Sequence, residues 1–136
     1  MKVRDFMTSI IITAESDTPV VDAARLMAVE DVGSLLVTKA DVLAGMVTLR
    51  EIIGAQLLSE ESFQTLCLED IMTTPVVTIG PDADLGQAIS LMNQTGKRHI
   101  PVIEGNDIIG LVATTDIIRV LATMKLIADG APIIED

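Results

Sequence analysis

The chain has 136 residues, with 20 acidic and 9 basic side chains, and its formal net charge of −11 sets up a field that repels duplex nucleic acid and anionic membrane surfaces. Base-stacking side chains are nearly lacking as well, with two Phe, no Tyr and no Trp. Apolar residues make up 49% and mean hydropathy is +0.52, yet no run approaches the ~18 apolar residues of a membrane helix, so the surplus points to a buried sheet plus an apolar surface for another subunit.

In chain order, Val3-Arg4-Asp5-Phe6-Met7-Thr8 is a short entry of mixed polarity. Lys2 and Arg4 precede Asp5 with no long apolar stretch behind them, so no secretory leader is expected. The β-branched run Ile10-Ile11-Ile12-Thr13 predicts a strand. Asp17-Thr18-Pro19 supplies caps for a helix whose Val20, Ala23, Ala24 and Met27 share one face. Leu35–Thr38 and Leu43–Val47 predict two strands joined through Lys39–Asp41, and a further helix begins near Thr48. Residues 55–67 are expected to extend that helix before turning. The same order then returns. Val76–Ile79 predicts a strand, Pro81-Asp82 supplies caps, and Leu85, Ala88, Ile89 and Met92 make a helical stripe. Ile100–Ile103 and Ile108–Val112 predict strands joined through Gly105-Asn106-Asp107. The last helix begins near Thr114 and stops around Asp129-Gly130, with an irregular end beyond. The single Cys67 cannot form an intrachain disulfide, so a cytoplasmic location is expected.

The return is an internal repeat. Residues 3–53 slide onto 68–118 without a gap, and Asp5, Met7, Thr8 and Asp17 fall on Asp70, Met72, Thr73 and Asp82. Gly45, Val47, Ile52 and Ile53 likewise meet Gly110, Val112, Ile117 and Ile118. Two copies are too few for a solenoid. The expected fold is α/β with small sheets: two tandem β-α-β-β-α units with pseudo-twofold symmetry and a pocket where they meet. The units are expected at 1–58 and 68–128, with a linker at 59–67 and a tail at 129–136.

Asp70-Ile71-Met72-Thr73 with Pro75-Val76-Val77-Thr78, then Arg98-His99-Ile100-Pro101-Val102, then Gly110-Leu111-Val112 leading to Asp116, together resemble a tandem pair of cystathionine-β-synthase (CBS) domains. The resemblance implies two units packed sheet to sheet, a disc-like homodimer of two pairs, and an adenosine-containing ligand between units. It also implies a sensor role, fused to an effector or acting on a separate protein. With no effector domain between Met1 and Asp136, the output is expected in trans, on an effector protein that the sequence leaves unknown.

The family's ligand signature is Gly, two apolar residues, Ser or Thr, two variable residues, then Asp. A helix N-terminus there favours phosphate, and a carboxylate one turn on can accept hydrogen bonds from both ribose hydroxyls. The second unit reads Gly110-Leu111-Val112-Ala113-Thr114-Thr115-Asp116, with Ala113 where the hydroxyl belongs and Thr114 able to substitute if the helix starts one residue late. By resemblance, Val76 and Val77 supply a base-contacting edge, and Lys97, Arg98 and His99, followed by Ile100 and Pro101, stand where phosphates are reached. The competing structural reading makes Asp116 a first-turn acid on the helix dipole and His99 a half-buried imidazole. A weaker site in the first unit comprises Thr48, Arg50, Glu51, Ile11, Ile12 and Ser34. There Glu replaces Asp, Thr48-x-x-Glu51 is a capping box, and Val32-Gly33-Ser34 replaces the basic cluster, so the structural reading is favoured.

Catalysis is not expected. One His and one Cys lie in separate elements, and the acids lack metal-ligand spacing. The expected function is a non-catalytic adenosine-nucleotide sensor. AMP or ADP comes first, then ATP or NAD, since the basic cluster suits an anionic tail better than cationic S-adenosylmethionine. No cofactor is required, the partners are the nucleotide, a homodimer mate and an effector, and neither nucleic acid nor membrane is expected. The alternative is a ligand-free dimerisation module with degenerate clefts.

Overall fold

The structure, a computed structural model, describes residues 1–130. In chain order the elements are α1 (Val3–Phe6), β1 (Thr13–Glu15), α2 (Val20–Glu30), β2 (Ser34–Lys39), β3 (Val42–Thr48), α3 (Leu49–Gln56), α4 (Glu60–Thr65), α5 (Leu68–Ile71), α6 (Leu85–Thr95), β4 (His99–Glu104), β5 (Asp107–Ala113) and α7 (Thr114–Ala128). The expected end of the tail, 131–136, lies outside the described residues.

The described residues form two compact bodies, one built from residues 11–76 and the other from 1–10 with 77–130. These boundaries differ from those of the sequence repeats, because the opening segment of each repeat packs into the body made by the other. In the body of residues 11–76, Leu68 and Glu69 donate to the carbonyls of Thr18 and Ser16, at 2.9 and 3.0 Å. In the other body Val3 and Arg4 donate to the carbonyls of Ala83 and Pro81, at 2.8 and 3.0 Å. Each strap carries an apolar plug: Leu68 in one case, Val3 and Phe6 in the other, all buried. A fully buried side chain of this size contributes about 1.5–3 kcal/mol of gross transfer energy, which adds to the backbone hydrogen bonds in offsetting the entropy of ordering the strap.

The body of residues 11–76 has a three-stranded sheet, with β1 parallel to β2 and β2 antiparallel to β3. Behind it Val20, Ala23 and Met27 of α2, Ile52 and Ala55 of α3, and the inward residues Leu35, Val37 and Val47 form the core. The predicted strand at 10–13 is displaced: pairing begins at Thr13, and Ile10 is exposed. Ala40 and Asp41 both lie in the left-handed region, at φ 52 and 63, as a two-residue turn matching strand twist requires. α3 does not extend through the linker. It ends at Gln56, and the separate α4 starts under a Ser59 cap, whose hydroxyl accepts from the Ser62 N–H at 3.1 Å.

The other body keeps only the β4–β5 hairpin as a sheet. The strand expected at Val76–Ile79 reduces to one bridge, in which Ile79 donates to the Pro101 carbonyl and accepts from Ile103 N–H, both at 3.0 Å. In the first repeat the ladder continues because Ser16 N–H donates to the Thr38 carbonyl at 2.9 Å. Its counterpart 65 residues on is Pro81, which has no N–H to donate, and the Leu36 N–H that meets the Ile12 carbonyl is likewise replaced by Pro101. The cap of α6 is Asp84 rather than Pro81-Asp82: Asp84 accepts from Gln87 N–H at 2.8 Å, and the Gln87 side chain accepts from Asp84 N–H at the same distance. Asp82 instead takes the guanidinium of Arg4 at 3.1 Å, which holds its carboxyl below the usual carboxylate range. Ala88, Val102, Val112, Ile117 and Val120 form the core with Val3 and Phe6, while Ile89 of the predicted stripe is exposed.

Candidate functional site

The features that resemblance assigned to ligand binding converge at the start of α7. β5 runs straight into this helix, whose N-cap is Ala113, so the helix does not start late and Thr114 is its first residue. Thr114 N–H donates to the Arg98 carbonyl at 2.9 Å, and the Thr114 hydroxyl faces the same oxygen at 3.4 Å. His99 pairs with Ala113 across the hairpin. The basic run therefore reaches its strand beside the first turn of α7, where free N–H groups and the helix dipole favour an anion. Lys97, Arg98 and Thr115 are exposed, and His99 is half-buried. Burial pushes the His99 imidazole below its ordinary value of 6.5, Asp116 opposes that shift, and Arg98 adds to it.

Asp116 is buried at 2% exposure, and each of its hydrogen-bond partners is identifiable. One oxygen, Oδ2, accepts from Ala113 N–H at 2.8 Å, the backbone half of a capping box. The other, Oδ1, accepts from the Arg119 guanidinium at 2.6 Å and from the Thr8 hydroxyl at 3.3 Å. Arg119 also reaches the Phe6 carbonyl at 3.5 Å. Sequence reasoning missed both Thr8 and Arg119. Arg119 was legible as the i, i+3 partner of Asp116, whereas Thr8 lies 108 positions away and only the strap brings it in.

The remaining candidates are placed less evenly. Ile100 and Pro101 are buried within the body, and the Pro101 carbonyl is already taken by Ile79. Val76 and Val77 are both half-buried, but the division between the two bodies falls between them.

In the body of residues 11–76 the corresponding corner is built alike but closed. Leu49 N–H donates to the Gly33 carbonyl at 3.2 Å, the counterpart of the Thr114–Arg98 bond, and Ser34 pairs with Thr48. Glu51 accepts from Thr48 N–H at 3.0 Å, and both its oxygens receive the Thr48 hydroxyl at 3.1 Å. Its carboxylate is spent on its own helix. Ile12 gives its carbonyl to Leu36 N–H at 3.0 Å, Ile11 is half-buried, and Arg50 is exposed. Cys67 stands apart from this corner: its thiol hydrogen-bonds Asp70 at 3.2 Å, which pushes the thiol up. Among the described residues there is no cluster of three metal-ligating side chains, and no helix is long and apolar enough to cross a membrane.

Comparison with known proteins agrees with this architecture. One relative is the CBS domain-containing protein YhcV of Bacillus subtilis. It is 32% identical over 115 residues, which is 85% of this chain and 81% of that protein. The mitochondrial CBS domain-containing protein CBSX3 of Arabidopsis thaliana is 33% identical over 109 residues, and there the match spans 76% of this chain but only 53% of the relative. The solved structure of CBSX2 in complex with AMP superposes with a TM-score of 0.78 at 24% identity, covering 91% of this chain and 98% of that one, a likeness of fold. The family model for the CBS domain matches twice, at residues 3–58 and 68–123. With a full CBS domain in each repeat, the chain belongs to the CBS-domain family as a tandem pair.

Proposed function

We propose that this chain is a non-catalytic sensor module that takes an adenosine nucleotide at the start of α7 and passes its ligand state to a partner protein in trans. The observation that carries the reading is the convergence of a buried carboxylate, Asp116, with the Lys97–His99 run beside the same helix N-terminus. A carboxylate can take the ribose diol and the exposed cations can meet phosphate, so both ends of a nucleoside monophosphate are provided for. CBSX2, of the same fold, was solved with AMP, which supports the ligand class. AMP or ADP ranks first, ahead of ATP and NAD, and S-adenosylmethionine fits the positive cluster poorly. Glu51, folded onto Thr48, makes the first-repeat corner the weaker of the two. Differential affinity of the ligand for one conformation shifts the population that the partner reads.

A second reading, a dimerisation module, is favoured by apolar residues left in water. Leu49 and Ile53 of α3 are 51% and 54% exposed, and Ile118 of α7 is 59% exposed. A homodimer belongs to both readings, and ligand binding separates them. Calorimetric titration of AMP, ADP, ATP, NAD and S-adenosylmethionine into the wild type and Asp116→Ala is the test. Micromolar binding that disappears in the variant supports the sensor. Silence across the panel, from folded protein, supports the scaffold. Within the sensor reading, Arg98→Ala weakens AMP far more than adenosine, and equal losses would remove the phosphate role.

A further inference from the structure

We propose that Arg119 is a built-in competitor for Asp116: its guanidinium occupies the carboxylate, and a ligand carrying a vicinal diol binds by displacing it. The inference rests on the reading of Asp116 as the ribose acceptor and adds the group that controls its access. A carboxylate offers about four lone-pair positions. Three are filled, by Ala113 N–H, the Thr8 hydroxyl and Arg119. A diol donating two hydrogen bonds needs two positions, so one present partner has to leave.

The three partners differ in how readily they leave. Ala113 N–H is fixed by the backbone at the N-cap. Thr8 is fixed by its strap, where its N–H and carbonyl exchange two 2.8 Å hydrogen bonds with Leu111. Arg119 is held only through its side chain, to Asp116 and, at 3.5 Å, to the Phe6 carbonyl, and that side chain is 63% exposed, against 3% for Asp116. Its head can return to water without a desolvation cost, and the two hydrogen bonds of the diol then replace the lost ion pair on the buried carboxylate. Arg119 also makes the shortest bond to Asp116, at 2.6 Å and charge-assisted, so it is the partner whose removal changes occupancy most. The apparent dissociation constant then equals the intrinsic one divided by the fraction of molecules with Arg119 swung away.

The test titrates adenosine, 2′,3′-dideoxyadenosine and AMP into the wild type, Arg119→Gln, Arg119→Lys and Asp116→Ala, with circular dichroism confirming the fold of each. Arg119→Gln is expected to tighten adenosine by roughly three- to tenfold, the range for opening a mostly closed two-state site. Arg119→Lys, which keeps the charge but loses the fork, is expected to fall between and guards against a folding defect in the glutamine variant. Dideoxyadenosine, lacking the diol, is expected to show no gain. Adenosine binding seen only in Arg119→Gln also supports the competitor. Unchanged or weaker adenosine binding in both Arg119 variants, with Asp116→Ala abolishing binding, overturns the competitor and leaves the ribose reading intact. Full affinity in Asp116→Ala, or no binding to any variant, overturns the ribose reading and the competitor with it.

Discussion

A Cβ added at Gly110 would stand 2.5 Å from Met7 Sδ, 2.9 Å from the Thr8 carbonyl oxygen and 3.0 Å from Met7 Cγ, against an ordinary contact beginning at 3.4 Å. The Gly110→Ala variant therefore has to drive the strap backbone off β5 by about half an ångström. That shift acts on the pair of 2.8 Å hydrogen bonds between Thr8 and Leu111 and on the Thr8–Asp116 bond. Overpacking costs about 1–3 kcal/mol and each weakened hydrogen bond about 0.5–1.5, so a loss of about 2–4 kcal/mol is expected. The equivalent Gly45→Ala meets only the side chain of Met72 among its three nearest atoms, and a thioether can yield. Its expected cost is about 1–2 kcal/mol. Urea unfolding of both variants, alone and combined with Met7→Ala or Met72→Ala, reads the difference as coupling energies. Met72→Ala should relieve most of the Gly45→Ala cost, while Met7→Ala should relieve only part of that at Gly110. Complete relief by Met7→Ala would refute the backbone clash, as would equal costs at the two glycines.

Three other outcomes follow from local geometry. Ala40→Gly removes a side chain from a φ of 52 and should raise stability by about 0.5–1 kcal/mol in the same urea assay. For His99, burial lowers the imidazole's value in the folded state, so the unfolded chain binds the proton more tightly. The stabilising contribution is therefore complete above pH 6.5 and fades as pH falls below it, and His99→Gln should flatten the stability profile between pH 7.5 and 5.5. Asp70→Asn removes the carboxylate that raises the Cys67 thiol, so alkylation of Cys67 at pH 8 should speed up, as read by mass spectrometry with iodoacetamide.

Much of this was legible because the repeat states each rule twice. Helix faces followed from spacing: Val20, Ala23 and Met27 are buried as the stripe required. The hairpins came from short polar turns between β-branched runs. What the sequence left open was mostly set by backbone donors rather than side-chain character. Val76–Ile79 is as β-branched as any strand, yet its ladder lacks two donors: Pro101, the counterpart of Leu36, has no N–H for the Val77 carbonyl, and Pro81 has none for Ile103. The straps were hidden for a different reason. Pattern reading assigns a segment to its neighbours in sequence, and nothing in Val3–Thr8 says that its partners are Ala83 and Leu111. The structure pairs each Met-Thr entry with the glycine of the other repeat. Met7 lies on Gly110 and Met72 on Gly45, so the glycine of the ligand signature also admits a strap.

The two corners show how one methylene and one hydroxyl divide equal backbones into unequal sites. Glu51 is long enough to curl over its own N-cap, and Thr48 has a hydroxyl to receive it, so acid and hydroxyl satisfy each other within four residues. Such a closed box contributes about 1 kcal/mol to the helix and leaves little for a ligand. At the other corner Ala113 has no hydroxyl, so the shorter Asp116 takes only the N–H from its N-cap. The rest of its hydrogen-bonding capacity is met by Arg119 one turn along and by Thr8, brought in by the strap. A missing hydroxyl, which looks like decay of the signature, leaves the carboxylate with a partner that can be exchanged, Arg119. Exchangeable partners are what a site needs if binding is to be reversible and felt elsewhere in the chain. On that logic, Ala113→Thr is expected to close the second corner as Thr48 closes the first, so AMP affinity should fall while thermal stability rises. A gain in AMP affinity on installing the hydroxyl would reverse this account of the asymmetry.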